Sequence, residues 1–230
     1  MLDRTPTVAA LVLEHPACAR VFQRHRIDFC CAGNVSVAEA CAARGLDAAA
    51  VQAEVDAAIR EADGAGIADP RALPTAALIA HIVEKHHGYL RQALPSVVAL
   101  ATKVARVHGA REPKLRALAV AVRELADTLE PHLDHEEQAL FPALSAGKDD
   151  APETAAELAA MTGEHLAVAA LLERIHDASD GFRVPVWGCN SYRALFSELR
   201  TMDGDIREHV HLENHVLCPR FAPRSSVSRA

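Results

Sequence analysis

The stretch His132-Leu-Asp-His-Glu136-Glu-Gln-Ala-Leu-Phe-Pro142 decides the fold, because its pattern returns as His209-Val-His-Leu-Glu213-Asn-His-Val-Leu-Cys-Pro219. Both copies place glutamate four residues after histidine, then leucine four and proline six residues after the glutamate. Residues four apart lie on one face of an α-helix, so each copy presents an imidazole and a carboxylate to the same side. The pattern predicts two helices that contribute similar ligand pairs to one metal site.

The repeat extends upstream to a single histidine before each motif. His87 lies 45 residues before His132, and His165 lies 44 residues before His209. The two histidine pairs are offset by 78 and 77 residues, from 87 to 165 and from 132 to 209. The carboxyl-terminal part is therefore a weak internal duplication, which predicts four ligand-bearing helices.

Helical periodicity and composition support this arrangement. Half of the residues are hydrophobic and only 4% are aromatic, which favours helix over sheet. Short links between helices make antiparallel neighbours, so we predict an all-α protein with an up-down-up-down four-helix bundle. The long helical patterns lie at about 75–107, 113–145, 151–178 and 190–217, with a capping box predicted from Asp150 and Glu153.

The first 62 residues form a separate helical region. They hold short helical patterns at 8–22, 36–44 and 47–62, and Ser36 with Glu39 predicts a capping box. Turn-forming residues then interrupt the periodicity. We predict a small helical domain at 1–62, a linker at 63–74, the bundle at 75–222 and a tail at 223–230.

Charge and hydropathy exclude some function classes. Lys and Arg number 24 and Asp and Glu 31, a net charge of −7, and no basic block suggests nucleic-acid binding. The chain has no uninterrupted apolar run of membrane-spanning length, and no signal-like amino terminus. We expect a cytosolic protein, without a membrane partner, whose six cysteines are thiols.

Six residues are predicted to bind metal on the four helices. If both glutamates bridge, each of two ions receives two histidine nitrogens and two carboxylate oxygens, with positions left open. A structural zinc site would close with four ligands, whereas this mixed set suits iron, with manganese as the main rival. A single His-Glu pair is usually only a surface pair, so the duplication carries the prediction. The predicted ligands are His87, His132, His165, His209, Glu136 and Glu213.

Several neighbouring histidines compete for these roles. The repeat register selects His87, which matches His165, over the adjacent His86. Side chains one or two positions from a ligand point about 100° or more away on a helix. The residues expected to support the ligands or to lie at the surface are His81, His86, His135, His211 and His215, with Glu164 as an outside candidate for a ligand or a supporting base.

Two sets of motifs resemble a known family. Residues from about 75 to 221, with the motifs above and Leu78-Ile-Ala-His-Ile-x4-His87, resemble the hemerythrin-like domain of the RIC family ("repair of iron centres"; YtfE, ScdA and NorA). Asp28-Phe-Cys-Cys-Ala-Gly33 resembles the Asp-(Phe/Tyr)-Cys-Cys-x-Gly motif of that family's leading domain. The sequence departs at Cys218, where an aromatic residue is usual, and at Ala32, where glycine is common.

The resemblance implies a cofactor and a function. It implies a non-haem di-iron centre, oxo-bridged when oxidised, with the four histidines as terminal ligands and Glu136 and Glu213 as bridges. It also implies nitric oxide binding and repair of iron-sulfur clusters damaged by nitrosative or oxidative stress. Alternatives are a reversible store or sensor of O2 or nitric oxide, an iron donor, or an enzyme that reduces nitric oxide to nitrous oxide with an unidentified reductant. Damaged iron-sulfur proteins are the expected partners, and a homodimer is a further hypothesis.

The adjacent Cys30 and Cys31 carry a second hypothesis. A turn before a helix start could favour a thiolate, and two neighbouring thiols suit metal transfer, nitrosothiol exchange or an intermolecular disulfide. The alternative is that both are small packing residues. Cys18 and Cys41 are expected in the core, and Cys189 and Cys218 stay undecided.

Overall fold

Helices dominate the residues that the computed structural model describes, which are 6–62, 69–147 and 152–221. Within these ranges the β-type pairing is limited to one isolated bridge, between Thr7 and Ser36. The all-α prediction is confirmed.

Three of the predictions concern residues outside the described ranges. These are the first part of the linker, at 63–68, the tail at 223–230, and the capping box that involves Asp150.

The chain divides into two compact units. The amino-terminal unit comprises Met1–Pro74 together with Arg207–Pro219, and the bundle unit comprises Thr75–Ile206 together with Arg220–Ala230. The helix Asn190–Leu212 therefore contributes residues to both units.

The amino-terminal unit begins with two short helices where one was predicted. His15 has an extended backbone (φ −134°, ψ 83°), because the ring of Pro16 disfavours helical geometry in the residue before it. The continuous pattern at 8–22 was therefore wrong at this break. The helices of this unit are α1 (Val8–Glu14), α2 (Cys18–Arg24), α3 (Val37–Arg44) and α4 (Ala48–Ala62).

Both ends of α3 are capped by local signals. The N–H of Glu39 donates to Ser36 Oγ (3.2 Å), and the N–H of Ser36 donates to Glu39 Oε2 (2.8 Å), which confirms the capping box. Gly45 follows the helix with φ +64°, a left-handed conformation that glycine adopts without steric cost.

The core of this unit is small and apolar. Val8, Phe22 and Val55 are fully buried, and Cys18 and Cys41 are also completely buried, as predicted for core cysteines. Each large apolar side chain removed from water contributes about 1.5–3 kcal/mol to folding.

The long helical segments that the periodicity predicted lie in the bundle unit, except that the helix Asn190–Leu212 from Arg207 onwards and the π turn after it belong to the amino-terminal unit. Three of them are interrupted or extended by single π-helical turns, which the sequence analysis did not anticipate. The elements are α5 (Thr75–Ile82), a π turn (Val83–His87), α6 (Gly88–His108), α7 (Lys114–His135), a π turn (Glu136–Leu140), α8 (Phe141–Ser145), α9 (Pro152–Ala178), and α10 (Asn190–Leu212) followed by a π turn (Glu213–Leu217).

Within the bundle unit, α7 packs against both α6 and α9. Its buried face carries apolar residues three or four positions apart, including Leu115, Leu118, Val122, Leu125 and Leu129, each no more than 1% exposed. This spacing makes one continuous stripe along a helix. Packing on both sides of α7 fixes the positions of the polar residues near its end.

Helix α9 is long and apolar enough, over Glu153–Ala178, to cross a membrane by length and composition. That is weak support for a membrane span, because the core helices of soluble proteins pass the same test. Here α9 packs along α7 and buries Val168, Leu172 and Ile175.

Candidate metal centre

Four of the predicted ligands form a buried polar cluster in the bundle unit. His87, His132, Glu136 and His165 are each no more than 5% exposed. The ligand atoms of His132, Glu136 and His165 lie within 4.8 Å of one another, as do those of His87 and Glu136. A cluster of buried imidazoles around a carboxylate is costly unless its members are paired or bind a metal.

The two oxygens of Glu136 face different histidines. Oε2 lies 3.5 Å from His87 Nε2, and Oε1 lies 3.3 Å from His132 Nε2. Two ligands that bind one ion at about 2.1 Å lie roughly 3 Å apart, so each pair fits a shared cation. One carboxylate that serves two histidines in this way has the geometry of a bridging ligand.

Each of these histidines is oriented by a second carboxylate. His87 Nδ1 lies 2.9 Å from Glu137 Oε1, and His132 Nδ1 lies 2.6 Å from Glu164 Oε2. With Nδ1–H donating to a carboxylate, the lone pair of Nε2 faces Glu136. Metal-binding histidines are commonly held by such a carboxylate, which fixes the tautomer and raises the basicity of the ligand.

Arg91 holds Glu137 in place. Its guanidinium donates to Glu137 Oε1 (3.1 Å) and to Asp134 Oδ1 (2.7 Å). Burial alone would raise the pKa of Glu137, but hydrogen bonds from His87 and Arg91 outweigh it, so the pKa lies below its ordinary value. The carboxylate that orients His87 is therefore ionised at neutral pH.

The remaining pair, His209 and Glu213, belongs to the amino-terminal unit. Both side chains are fully buried, and His209 Nε2 lies 2.8 Å from Glu213 Oε1. The spacing of four residues produces this contact within a single helical segment, as predicted from the sequence.

Each of the three π turns contains one of the predicted ligands. The N–H of Phe141 bonds to the carbonyl of Glu136, and the N–H of Cys218 bonds to the carbonyl of Glu213, each five residues back. His87 is the last residue of the third π turn. A π turn adds one residue to a helical turn and is frequent at functional sites, because it changes the direction of the side chains around it.

Comparisons with known proteins agree with this geometry. The model of the Hemerythrin HHE cation binding domain matches residues 78–221, and that of the ScdA_N domain, a domain of unknown function (DUF542), matches residues 4–59. The iron-sulfur cluster repair protein YtfE of Yersinia pseudotuberculosis serotype IB (strain PB1/+) is 32% identical over 217 residues, 94% of this chain and 96% of the relative. The same values hold for YtfE of Yersinia pestis (strain Pestoides F). The chain belongs to the RIC family.

Membership of this family identifies the cluster as part of a cation-binding domain. Residues 78–221 of this RIC chain match a hemerythrin-type cation-binding domain, and the buried histidines and glutamates have the donor chemistry that such a domain needs. Imidazole nitrogen and carboxylate oxygen together suit iron, zinc and manganese.

Glu137 was not predicted from the sequence to be a supporting residue. Its partner His87 is 50 residues away, so no local spacing reports the pair. Glu164 was considered because it adjoins His165, yet its contact is with His132 on another helix. The orienting carboxylates of this RIC chain are thus set by helix packing.

Three histidines near the ligands make other contacts in the bundle unit. His86 is completely buried, with Nδ1 2.9 Å from Asp205 Oδ1. The ring of His81, an exposed residue, lies edge-on to that of His86 at 6.0 Å. His135 is exposed and pairs with Glu157 at 3.0 Å.

His211 and His215 hold the thiol segment of the amino-terminal unit. His211 Nδ1 donates to the carbonyl of Phe29 (3.1 Å), and His215 Nε2 donates to the carbonyl of Cys30 (2.9 Å). Burial lowers the pKa of His211 to about 4, and burial also lowers the pKa of His215, so both rings are neutral near pH 7. The i,i+4 spacing of these histidines was a signal in the sequence that they share a face.

The surroundings of Cys30 in the Cys30-Cys31 pair favour the neutral thiol. The hydrogen bond with Cys31, burial and the nearby Asp28 carboxylate together raise the pKa of Cys30 well above its ordinary value. Desolvation and negative charge therefore both oppose a free thiolate at Cys30. Cys30 is 2% exposed, whereas Cys31 is partly exposed.

Proposed function

We propose that this RIC chain is a cytosolic non-haem di-iron protein that binds nitric oxide and takes part in the repair of iron-sulfur clusters damaged by nitrosative or oxidative stress. Relatives that match 94% of the chain carry the name of iron-sulfur cluster repair protein. The observation that carries the proposal is Glu136, a buried carboxylate with one oxygen towards each of two oriented histidines.

The proposed ligand set contains both halves of the internal duplication. His209 and Glu213 repeat the spacing and the burial of His132 and Glu136, and both glutamates would bridge the two ions. The terminal ligands are then His87, His132, His165 and His209, and the bridging ligands are Glu136 and Glu213.

Iron fits this set better than a structural zinc ion does. Six nitrogen- and oxygen-donating residues exceed the four that a closed zinc site uses, and iron accepts mixed imidazole and carboxylate ligands. Bound iron would supply open coordination positions for a diatomic ligand and one-electron redox chemistry.

The chain's own residues prepare the site. Glu137, which Arg91 supports, accepts a hydrogen bond from the Nδ1–H of His87. Glu164 accepts the corresponding hydrogen bond from His132. Each Nε2 is thereby held ready to bind metal without rotation of the ring. The apolar stripe of α7 excludes bulk water from the cluster.

The partners follow from this chemistry. Damaged iron-sulfur proteins are the proposed clients, with Cys30 and Cys31 as the thiols that exchange with them. Reuse of the centre requires an external reductant, and association as a homodimer is part of the same proposal.

Reactivation of a damaged cluster enzyme tests the function. Under anaerobic conditions with reductant, the iron-loaded wild-type chain should restore the activity of a nitric-oxide-treated [4Fe-4S] hydro-lyase. Glu136→Gln removes the second anionic oxygen and should abolish the effect. The matched control is Glu157→Gln, which alters a surface pair with the exposed His135 and should behave as wild type.

Titration of the reduced protein with nitric oxide separates the alternatives. Retained nitric oxide without gas production indicates binding, whereas nitrous oxide that accumulates with added reductant indicates an enzyme. If hydro-lyase activity recovers equally with wild type, Glu136→Gln and buffer, the repair proposal is wrong.

A further inference from the structure

A second group of potential metal ligands lies in the amino-terminal unit, in the segment between α2 and α3. The carboxylate of Asp28 accepts the backbone N–H of Cys30 (3.0 Å) and of Cys31 (2.8 Å) through Oδ1. The same oxygen accepts the thiol proton of Cys30, at 3.2 Å from Sγ. One turn thus brings a carboxylate and two thiols together.

The distances within this group suit a single cation. The two sulfur atoms are 3.7 Å apart, and the ligand atoms of Asp28, Cys30 and Cys31 all lie within 4.8 Å of one another. Two thiolates that bind one zinc ion at about 2.3 Å in tetrahedral geometry are about 3.8 Å apart. The sulfur atoms therefore already have the separation that a shared ion requires.

The backbone of this segment accepts hydrogen bonds from three side chains in residues 211–215 of the same unit. The carbonyl of Cys30 accepts from Asn214 Nδ2 (3.0 Å) and from His215 Nε2 (2.9 Å), and the carbonyl of Phe29 accepts from His211 Nδ1 (3.1 Å). These bonds fix the backbone that carries the thiols, so little ordering remains to be done when an ion binds.

We propose that Asp28, Cys30 and Cys31 form a separate site for a thiophilic divalent cation, such as Zn²⁺ or Fe²⁺, with two sulfur ligands, one oxygen ligand and a fourth position open towards solvent beside Cys31. On binding, both thiols lose their protons to solvent and become thiolates, and Asp28 Oδ1 exchanges the thiol proton for the cation. No electron is transferred. The proposal does not depend on metal binding by the His/Glu cluster, and it uses the two thiols that are proposed above to exchange with damaged iron-sulfur proteins.

This site accounts for features that a packing role leaves unexplained. The hydrogen bond with Cys31, burial and the negative charge of Asp28 together raise the pKa of Cys30 and oppose a free thiolate. A divalent cation reverses that effect, because the same carboxylate and thiolates then bind a positive charge. The partial exposure of Cys31 provides a route for the ion.

Sulfur ligation is the measurement that tests the site. The full-length apoprotein is loaded with Zn²⁺ and examined by X-ray absorption at the zinc edge, and loading with Co²⁺ gives thiolate-to-metal absorption bands. The His/Glu cluster contains no sulfur, so a sulfur shell at about 2.3 Å reports only on cysteine ligands. We expect this shell in the wild-type protein and one additional metal equivalent per chain over the Cys30→Ser/Cys31→Ser variant.

Two variants make the result specific. Asp28→Asn keeps an oxygen that accepts both backbone N–H groups but loses the charge, and we expect zinc affinity at the thiols to fall by about tenfold or more, as for lost supporting carboxylates. Cys189→Ser changes an exposed thiol outside the group and should retain the full sulfur signal.

Three results would overturn the proposal. They are zinc bound without a sulfur shell in the wild type, a sulfur shell that persists in Cys30→Ser/Cys31→Ser, or unchanged zinc affinity in Asp28→Asn. Iron loading of the His/Glu cluster, measured in the same variants, should be unaffected, so failure of this site is distinguishable from failure of the proposed di-iron site.

Discussion

Glu136 combines features that ordinary surface glutamates do not have. It is 1% exposed, and its two oxygens face the Nε2 atoms of His87 and His132. An ionised carboxylate in such a place requires compensating positive charge, because transfer of an isolated charge out of water is very costly. Glu137 and Glu164 accept hydrogen bonds from the Nδ1 atoms on the other side of these two imidazoles.

The orienting carboxylates give a prediction at this scale. Glu137→Gln and Glu164→Gln keep a hydrogen-bond acceptor but remove the negative charge that raises the basicity of each histidine. We expect each change to weaken iron binding by about 10–100-fold, measured by competition with a chelator of known affinity. Glu157→Gln is the matched control and should leave iron binding unchanged. Equal affinity in all four proteins would contradict the proposed orienting role.

At the scale of elements, π turns interrupt or extend the regular helices at three of the residues that are proposed to bind metal. Pro142 and Pro219 each lie six residues after one of the two glutamates that are proposed to bind metal. Proline has no N–H, so the carbonyl four residues before it lacks its regular α-helical donor. This shared position was a signal in the sequence for irregular turns after Glu136 and Glu213, where the structure has i to i−5 bonds instead.

Two glycines give opposite predictions for the helices and the thiol segment. Gly163 lies within α9 with no neighbouring atom within 4 Å of an added Cβ, so Gly163→Ala should stabilise the protein by about 0.8–1 kcal/mol.

A Cβ at Gly33 would lie 2.4 Å from the carbonyl oxygen of Phe29 and 2.9 Å from Ala9 Cβ, so Gly33→Ala should destabilise the amino-terminal unit. Urea unfolding of both variants measures the changes, and a stabilised Gly33→Ala variant would show that the segment relaxes freely.

For the whole molecule, metal and fold should stabilise each other. Ligand binding to the folded state at a concentration 100 times the dissociation constant adds about 2.7 kcal/mol, which corresponds to roughly 5–10 °C in melting temperature for a chain of this size. We expect iron-loaded protein to melt higher than apoprotein by such an amount at neutral pH.

Lowered pH and replacement of the proposed glutamate ligands both test whether metal binding stabilises the fold. The metal-dependent gain should shrink as pH falls, because protons compete for the histidines and carboxylates. It should be absent in Glu136→Leu and Glu213→Leu, measured by calorimetry beside wild type. Identical melting temperatures for loaded and apo wild-type protein would separate metal binding from folding.

Contacts within a single helix could be predicted from the sequence, whereas one break between helices was missed. Short-range patterns gave the all-α class, the capping box of α3, the core cysteines and the contact between His209 and Glu213, because residues within one helical turn meet whenever the helix forms. The break at His15 was missed because apolar periodicity outweighed the effect of Pro16.

The sequence by itself determined which residue types could bind metal and the register in which they repeat. Only the tertiary structure decided that Glu137 and Glu164 orient the histidines, and that His211 and His215 support the thiol segment of the amino-terminal unit. Each of these contacts joins residues far apart in the chain. Such contacts depend on how helices pack and where π turns redirect them, whereas the repeated histidine and glutamate pairs need only the 3.6-residue period of a helix.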